Sequence, residues 1–152
     1  MDNTLIIGYG NPLRSDDGAG QLFAGIVESW NHPEIIVRAV HQLLPELAED
    51  LSRVKRTVFV DACADTSLRV PRLTEIQPEN GEKYTAHTGD PRAMLALSMA
   101  LYGSFPRAWL LELPAQNFEF GEVMSKVATD GITAGLNILN RLLEGETCTK
   151  SA

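Results

Sequence analysis

Cysteine occurs twice and histidine three times in this 152-residue chain, and each scarcity removes a class of function. Cys63 and Cys148 have no metal-like spacing, so neither a disulfide framework nor a zinc knuckle is expected, and both are read as reduced thiols. Lys and Arg are too few and too scattered to form a basic patch, and the net charge is -7 with a pI near 4.9. That balance excludes nucleic acid and anionic membranes as partners. Long apolar runs are also missing. Met1-Asp2-Asn3-Thr4 lacks a basic region, and the apolar stretch behind it is too short for a signal peptide or a membrane helix, which predicts a cytoplasmic protein. No Gly-x-Ser-x-Gly elbow occurs, which disfavours a serine hydrolase.

The chain does have 44% hydrophobic residues, enough for one buried core and too short a length for two ordinary domains. The expectation is a single domain over residues 1–145 with a frayed tail over 146–152. Apolar spacing predicts strands at Leu5–Ile7, Glu34–Val40, Thr57–Val60 and Ala108–Leu113, with an edge strand within Ser67–Gln77 because of Pro71. Helices are predicted from Gly18 to Trp30, from Pro45 to about Val54, from Asp90-Pro91 to Tyr102-Gly103, and from Glu122 to about Leu143. Residues Pro78 to Thr85 read as a polar surface connection. Alternation of strands and helices gives an α/β three-layer sandwich, a twisted, mostly parallel sheet of about five strands with helices on both faces and strand one between strands two and three.

The informative segment is Gly8-Tyr9-Gly10-Asn11-Pro12-Leu13-Arg14-Ser15-Asp16-Asp17-Gly18-Ala19-Gly20. It is a glycine-rich turn that delivers two carboxylates to the sheet edge where open α/β folds bind ligands. A dinucleotide would need a third glycine at position 13, where Leu13 stands, and an acid after strand two, where Arg38-Ala39-Val40-His41 stands. Two aspartates also repel a phosphate, so a cation is the better guest. If strands one and three are neighbours, Asp61 ends at the same edge, and His87, in the loop before the Asp90-Pro91 helix, can reach it. Asp17 or Asp16 with Asp61 and His87 make a divalent-metal site with open positions, suited to nickel, zinc, iron or manganese.

Structural roles compete with this. Asp16 could cap the first helix, Asp61 could cap the turn that follows strand three, and His87 could be a solvated loop side chain. His41, on the predicted edge, is a secondary candidate with Asp16, whereas His32 is read as structural. Cys63 lies in acidic surroundings and is read as a buried structural thiol rather than a nucleophile. Residues Gln116, Asn117 and Phe118, in the loop from Pro114 to Gly121, either line a substrate groove or cover the core.

The order Gly8-x-Gly10-Asn11-x-Leu13-x-x-Asp16-Asp17-Gly18-x-Gly20, then Val60-Asp61-Ala62, then a lone His87, resembles the hydrogenase maturation proteases over nearly the whole chain. That resemblance implies an endopeptidase, of aspartyl or metal-assisted type, that removes a C-terminal extension from the large-subunit precursor of a nickel-iron hydrogenase after nickel insertion. It implies Asp17, Asp61 and His87 as the catalytic and metal-contacting residues, and nickel supplied by the substrate. Asp16 is left as the helix cap. Many members carry glutamate in place of Asp17 and an Asp-Gly-Gly-Thr-like stretch where this chain has Val40-His41-Gln42-Leu43-Leu44-Pro45-Glu46. The His-Gln-Leu form looks more like the branch serving bidirectional, NAD(P)-linked hydrogenases. A monomer is expected. A non-catalytic nickel metallochaperone and a metal-independent hydrolase using Cys63 remain rivals.

Overall fold

The computed structural model describes residues 3–79 and 90–149. Five strands, β1 (Thr4–Tyr9), β2 (Ile35–Val40), β3 (Arg56–Ala62), β4 (Arg72–Ile76) and β5 (Arg107–Leu113), form one sheet in the order β2-β1-β3-β5-β4. β1 pairs in parallel with β2 and β3, β3 pairs in parallel with β5, and only the edge strand β4 is antiparallel. Strand one therefore lies between strands two and three, as expected, and Pro71 directly precedes the exposed edge strand.

Alternation along the central strands sorts their side chains onto two faces. Ile6, Val58, Val60, Leu111 and Leu113 pack with Phe23 and Val27 of α1 (Ala19–Ser29) and Ile132 and Leu139 of α4 (Lys126–Thr149). Leu5, Ile7 and Phe59 pack with Leu47 and Leu51 of α2 (Leu47–Ser52) and Met94 and Leu95 of α3 (Pro91–Tyr102). The result is the expected three-layer α/β sandwich. Both faces of β1, β3 and β5 are covered, which is why these segments read as near-continuous apolar runs.

Helix α3 starts and stops where the sequence predicts. The Asp90 carboxylate accepts from the Arg92 N–H, Pro91 occupies the first turn, and Gly103 ends the helix in the left-handed region at φ 78°. Helix α2 begins two residues after Pro45, which sits in the preceding turn with its carbonyl accepting from Ala48 N. Helix α4 begins at Lys126, not Glu122, because Ser125 takes the capping position: its hydroxyl accepts from Ala128 N at 3.2 Å. At the other end the backbone breaks from helical geometry at Gly145 and continues helically to Thr149. No helix among the described residues is long and apolar enough to cross a membrane.

The glycines of the first turn let α1 lie against the sheet. A Cβ on Gly8 would stand 2.0 Å from the Gly20 carbonyl oxygen, and one on Gly20 would stand 2.5 Å from the carbonyl oxygens of both Tyr9 and Val60. Gly10 has a different constraint, with φ 139° and a would-be Cβ 2.1 Å from the Asp17 carbonyl oxygen.

Two substitutions grade this packing in a thermal or denaturant melt. Val60→Ala, at a fully buried position, should cost about 1–3 kcal/mol from lost burial and residual cavity. Gly10→Val should cost more, since it combines backbone strain with a backbone clash. An unchanged melt for Gly10→Val would overturn this account of the turn.

Candidate active site

The site lies at the C-terminal edge of β1 and β3. β1 ends in Tyr9, and the chain then passes through the glycine-rich turn into a 3-10 segment, Ser15–Gly18, that carries both aspartates. The aspartates do opposite things. Asp16 is completely buried, and its carboxylate accepts four hydrogen bonds, from Gln116 N (2.8 Å), Asn117 N (2.9 Å), Ser125 N (2.8 Å) and Ser125 Oγ (2.7 Å). Burial alone would raise its pKa, but the four donors outweigh that and hold it below the ordinary value.

Asp16 is thus structural, but it is not the cap of α1 that the sequence suggests. Gly18 precedes α1 with no side-chain cap, and Asp16 instead ties the first turn to the loop after β5 and to the start of α4. The sequence shows that an Asp stands near a helix start; it cannot show that the donors come from a segment about a hundred residues away.

Asp17 is half-buried and points its Oδ2 to the Asn11 N–H at 2.8 Å. Asp61 is not the end of its strand. It lies inside β3, in register with Glu112 of β5, and the turn-capping role falls to Asp65, whose Oδ1 accepts from Ser67 N and Ser67 Oγ at 3.0 and 2.6 Å. This frees Asp61 from the structural duty that competed with a functional one. Its carboxyl group is pushed up to about 7, first by burial and then by the Asp17 charge, while the Ala62 N–H and the Tyr9 hydroxyl partly offset the rise as hydrogen-bond partners. The two carboxylates are therefore electrostatically coupled across the β1–β3 edge.

Tyr9 and Glu112 are site neighbours that sequence reasoning missed. Tyr9 is 8% exposed, and its hydroxyl is held far above the usual tyrosine range by burial and by Asp61. Glu112 is engaged at both oxygens, by Arg72 Nε at 2.9 Å and by Cys63 Sγ at 3.6 Å. Period-two alternation would have found both, since Leu5, Ile7 and Tyr9 share a face with Phe59 and Asp61, and Glu112 is the register partner of Asp61.

Cys63 is a free, buried thiol whose pKa is raised, mainly by burial with a further rise from Glu112. That is the opposite of what a thiolate nucleophile requires. His41 stands exposed one residue beyond Val40, whose carbonyl accepts from Gly10 N at 3.2 Å. His87 and the connection through residues 80–89 lie outside the described residues. Among the described residues no group of three His, Cys, Asp or Glu side chains could hold a metal ion; Asp17 and Asp61 supply two carboxylates at one edge.

Of the proposed groove residues, Gln116 is exposed and Phe118 packs against the core. Asn117 turns inward to make the loop, its carbonyl accepting from Asp16 N at 2.9 Å and its Oδ1 from Glu119 N at 3.0 Å. Ser15, at φ 53°, is held in the left-handed region by Gly121 O, which accepts from its N–H at 2.8 Å, and by Glu119 O, which accepts from its hydroxyl at 2.8 Å.

The two buried acids respond to substitution differently. Asp16→Asn should destabilise by about 3 kcal/mol or more at neutral pH, because charge-assisted bonds worth roughly 1.5–3 kcal/mol each are lost and donors are left facing an amide. Since the folded-state pKa of Asp16 lies below the ordinary 3.8, its stabilisation is complete above that value and is lost as pH falls through the folded value. The gap between wild type and Asp16→Asn should therefore narrow below about pH 4. Carboxyl-carbon NMR titration checks the coupled pair: Asp17→Asn should lower the Asp61 midpoint, and an unmoved midpoint would show that the two do not share a field.

No protein-family profile and no curated protein sequence matches the chain. Solved structures do. The NiFe hydrogenase maturation protease HybD from Thermococcus kodakarensis matches with 24% identity and a TM-score of 0.72 over 92% of this chain and 98% of its own. The hydrogenase maturating endopeptidase HybD from E. coli matches with 17% identity and a TM-score of 0.72 over 93% of each chain. The endopeptidase HycI from Escherichia coli matches with 20% identity and a TM-score of 0.66 over 92% of this chain and 88% of its own. The chain has the fold of these hydrogenase maturation proteases.

Proposed function

We propose that this protein is an endopeptidase that removes the C-terminal extension of a nickel-iron hydrogenase large-subunit precursor once nickel has been inserted. The observation that carries the reading is the coupled pair Asp17 and Asp61 at the C-terminal edge of β1 and β3, with the pKa of Asp61 raised toward neutrality. The motif order of the sequence and the fold shared with structures named as hydrogenase maturation proteases support the same reading.

The metal belongs to the substrate. The Asp17 charge that raises the Asp61 carboxyl is relieved by a cation between the two, and nickel within the precursor supplies that cation, with His87 as the third contact. Docking is then favoured only for a loaded precursor. In the hydrolytic step, water adds to the scissile carbonyl carbon. Its proton passes to the carboxylate pair, the C–N bond breaks, and that proton leaves on the new amine. Asp17 and Asp61 share this role. The Tyr9 hydroxyl holds Asp61 in place, and Cys63 takes no part.

Incubating the purified protein with nickel-loaded and nickel-free precursor, and reading the precursor mass, tests this. The loaded precursor should lose its extension and the nickel-free one should not. An unchanged mass with loaded precursor overturns the protease reading, and nickel binding without cleavage identifies a metal carrier instead. Asp17→Asn, Asp61→Asn and His87→Ala should each slow processing by about 100-fold or more, the scale of losing an acid–base group. Cys63→Ser should process normally.

A further inference from the structure

Beside the glycine-rich turn stands a ridge of large apolar side chains held out into solvent. Phe120 is 85% exposed and Val123 76%, with Leu13 and Leu22 about half exposed. Leu13 and Leu22 stand about a hundred positions from Phe120 and Val123 in sequence, and backbone pairing brings the two segments together. Gly121 N donates to Leu13 O at 2.7 Å, Ser15 N donates to Gly121 O at 2.8 Å, and Arg14 forms a parallel bridge with Gly121.

Between the turn, α1 and the start of the 121–125 segment lies a cleft of about 310 Å³. Pro12, Leu22 and Met124 give it apolar walls, with Gln21 and Glu122 among its polar groups. Glu122 is the one charged side chain in that lining, and Glu119 adjoins Phe120 in sequence. Arg14, the cation of this turn, is engaged through Nε by the Phe118 carbonyl at 3.2 Å. The loop that presents Phe120 is fixed by the Asp16 carboxylate and by Ser15, so the aromatic ring is displayed on a tethered backbone. Apolar exposure of that kind, rimmed by polar groups, marks a surface that another molecule covers.

We propose that this ridge and cleft dock the precursor, taking an apolar side chain of its surface flanked by a Lys or Arg. The inference rests on the proposed function for the identity of the partner. Ser15 and Gly18, which also line the cleft, flank the two aspartates in sequence, so a partner seated here lies beside the turn that presents Asp17. The apolar walls take the apolar group, and Glu122 takes the cation.

The test measures affinity for nickel-loaded precursor by calorimetry, and processing kinetics, for wild type, Phe120→Asp, Leu22→Asp and Glu122→Lys. Melting temperatures should be unchanged for Phe120→Asp and Glu122→Lys, whose side chains are at the surface, and should fall only modestly for Leu22→Asp, whose side chain is half exposed. Phe120→Asp and Leu22→Asp should raise Kd and KM roughly tenfold or more while kcat stays within about twofold. Glu122→Lys should weaken binding most at low salt. Wild-type processing with unchanged Kd in both apolar variants overturns the docking surface and leaves the protease reading intact. Binding that the variants weaken, with no cleavage by wild type, supports the docking surface and overturns the protease reading. A wild-type dimer that Phe120→Asp dissociates, seen by sedimentation, overturns the proposal in favour of a second copy of this chain.

Discussion

A single buried carboxylate organises this molecule's working edge. Asp16 has no exposure at all, yet it is held in its charged form, because four donors from the loop after β5 and the start of α4 converge on it. An unsatisfied buried charge would be very costly; here the cost is offset by making the carboxylate the meeting point of two distant segments. Everything nearby inherits that geometry. Ser15 is kept in the left-handed region, Gly121 is paired with Leu13, α4 starts at Lys126 rather than Glu122, and Asp17, the next residue, is aimed across the turn.

Asp61 shows the contrary solution. It is also taken largely out of water, but beside other acids, Asp17 across the edge and Glu112 in register, with the Ala62 N–H and the Tyr9 hydroxyl as hydrogen-bond partners. Glu112 is neutralised locally by Arg72, so its charge is partly spent there. What remains is the Asp17 charge, which Asp61 faces at the edge. The structural acid Asp16 accepts four hydrogen bonds, whereas Asp17 and Asp61, the acids assigned to function, have fewer donors and Asp61 lies in the field of Asp17. On the proposed reading that frustration is completed by a cation that comes with the substrate.

The architecture was largely legible because it rests on short-range patterns. The apolar runs of β1, β3 and β5 follow from burial on both faces, Pro71 marks the edge strand, and the Asp90-Pro91 pair fixes the start of α3 through local bonds. The convergence of Asp17 and Asp61 was legible too, once strands one and three were taken as neighbours. The rest depended on long-range contacts that leave no local trace. Asp16 looked like a helix cap because its donors, at Gln116, Asn117 and Ser125, are remote in sequence. Asp61 looked like a strand end because its continuation is set by pairing with Glu112, and Asp65, four residues on, carries the same capping preference. Tyr9 reads locally as part of a glycine turn, although its parity with Ile7 places it on the face of Asp61.

The glycine-rich turn itself explains why a phosphate-binding appearance misleads. In a nucleotide site, glycines expose backbone N–H groups to an anionic guest and bring the helix N-terminus up to it. Here Gly8 and Gly20 serve the close approach of α1 to β1 and β3, where a Cβ on either would run into carbonyl oxygens. The donor that an anion would use is already taken, because the Asn11 N–H bonds the protein's own Asp17 carboxylate. That bond reverses the sign of the site. A turn whose backbone geometry could bind an anion carries its anion covalently and presents the remaining charge outward. On the proposed reading this edge of the sheet favours positive charge, because the Asp17 side chain already occupies the Asn11 N–H that an anionic guest would use.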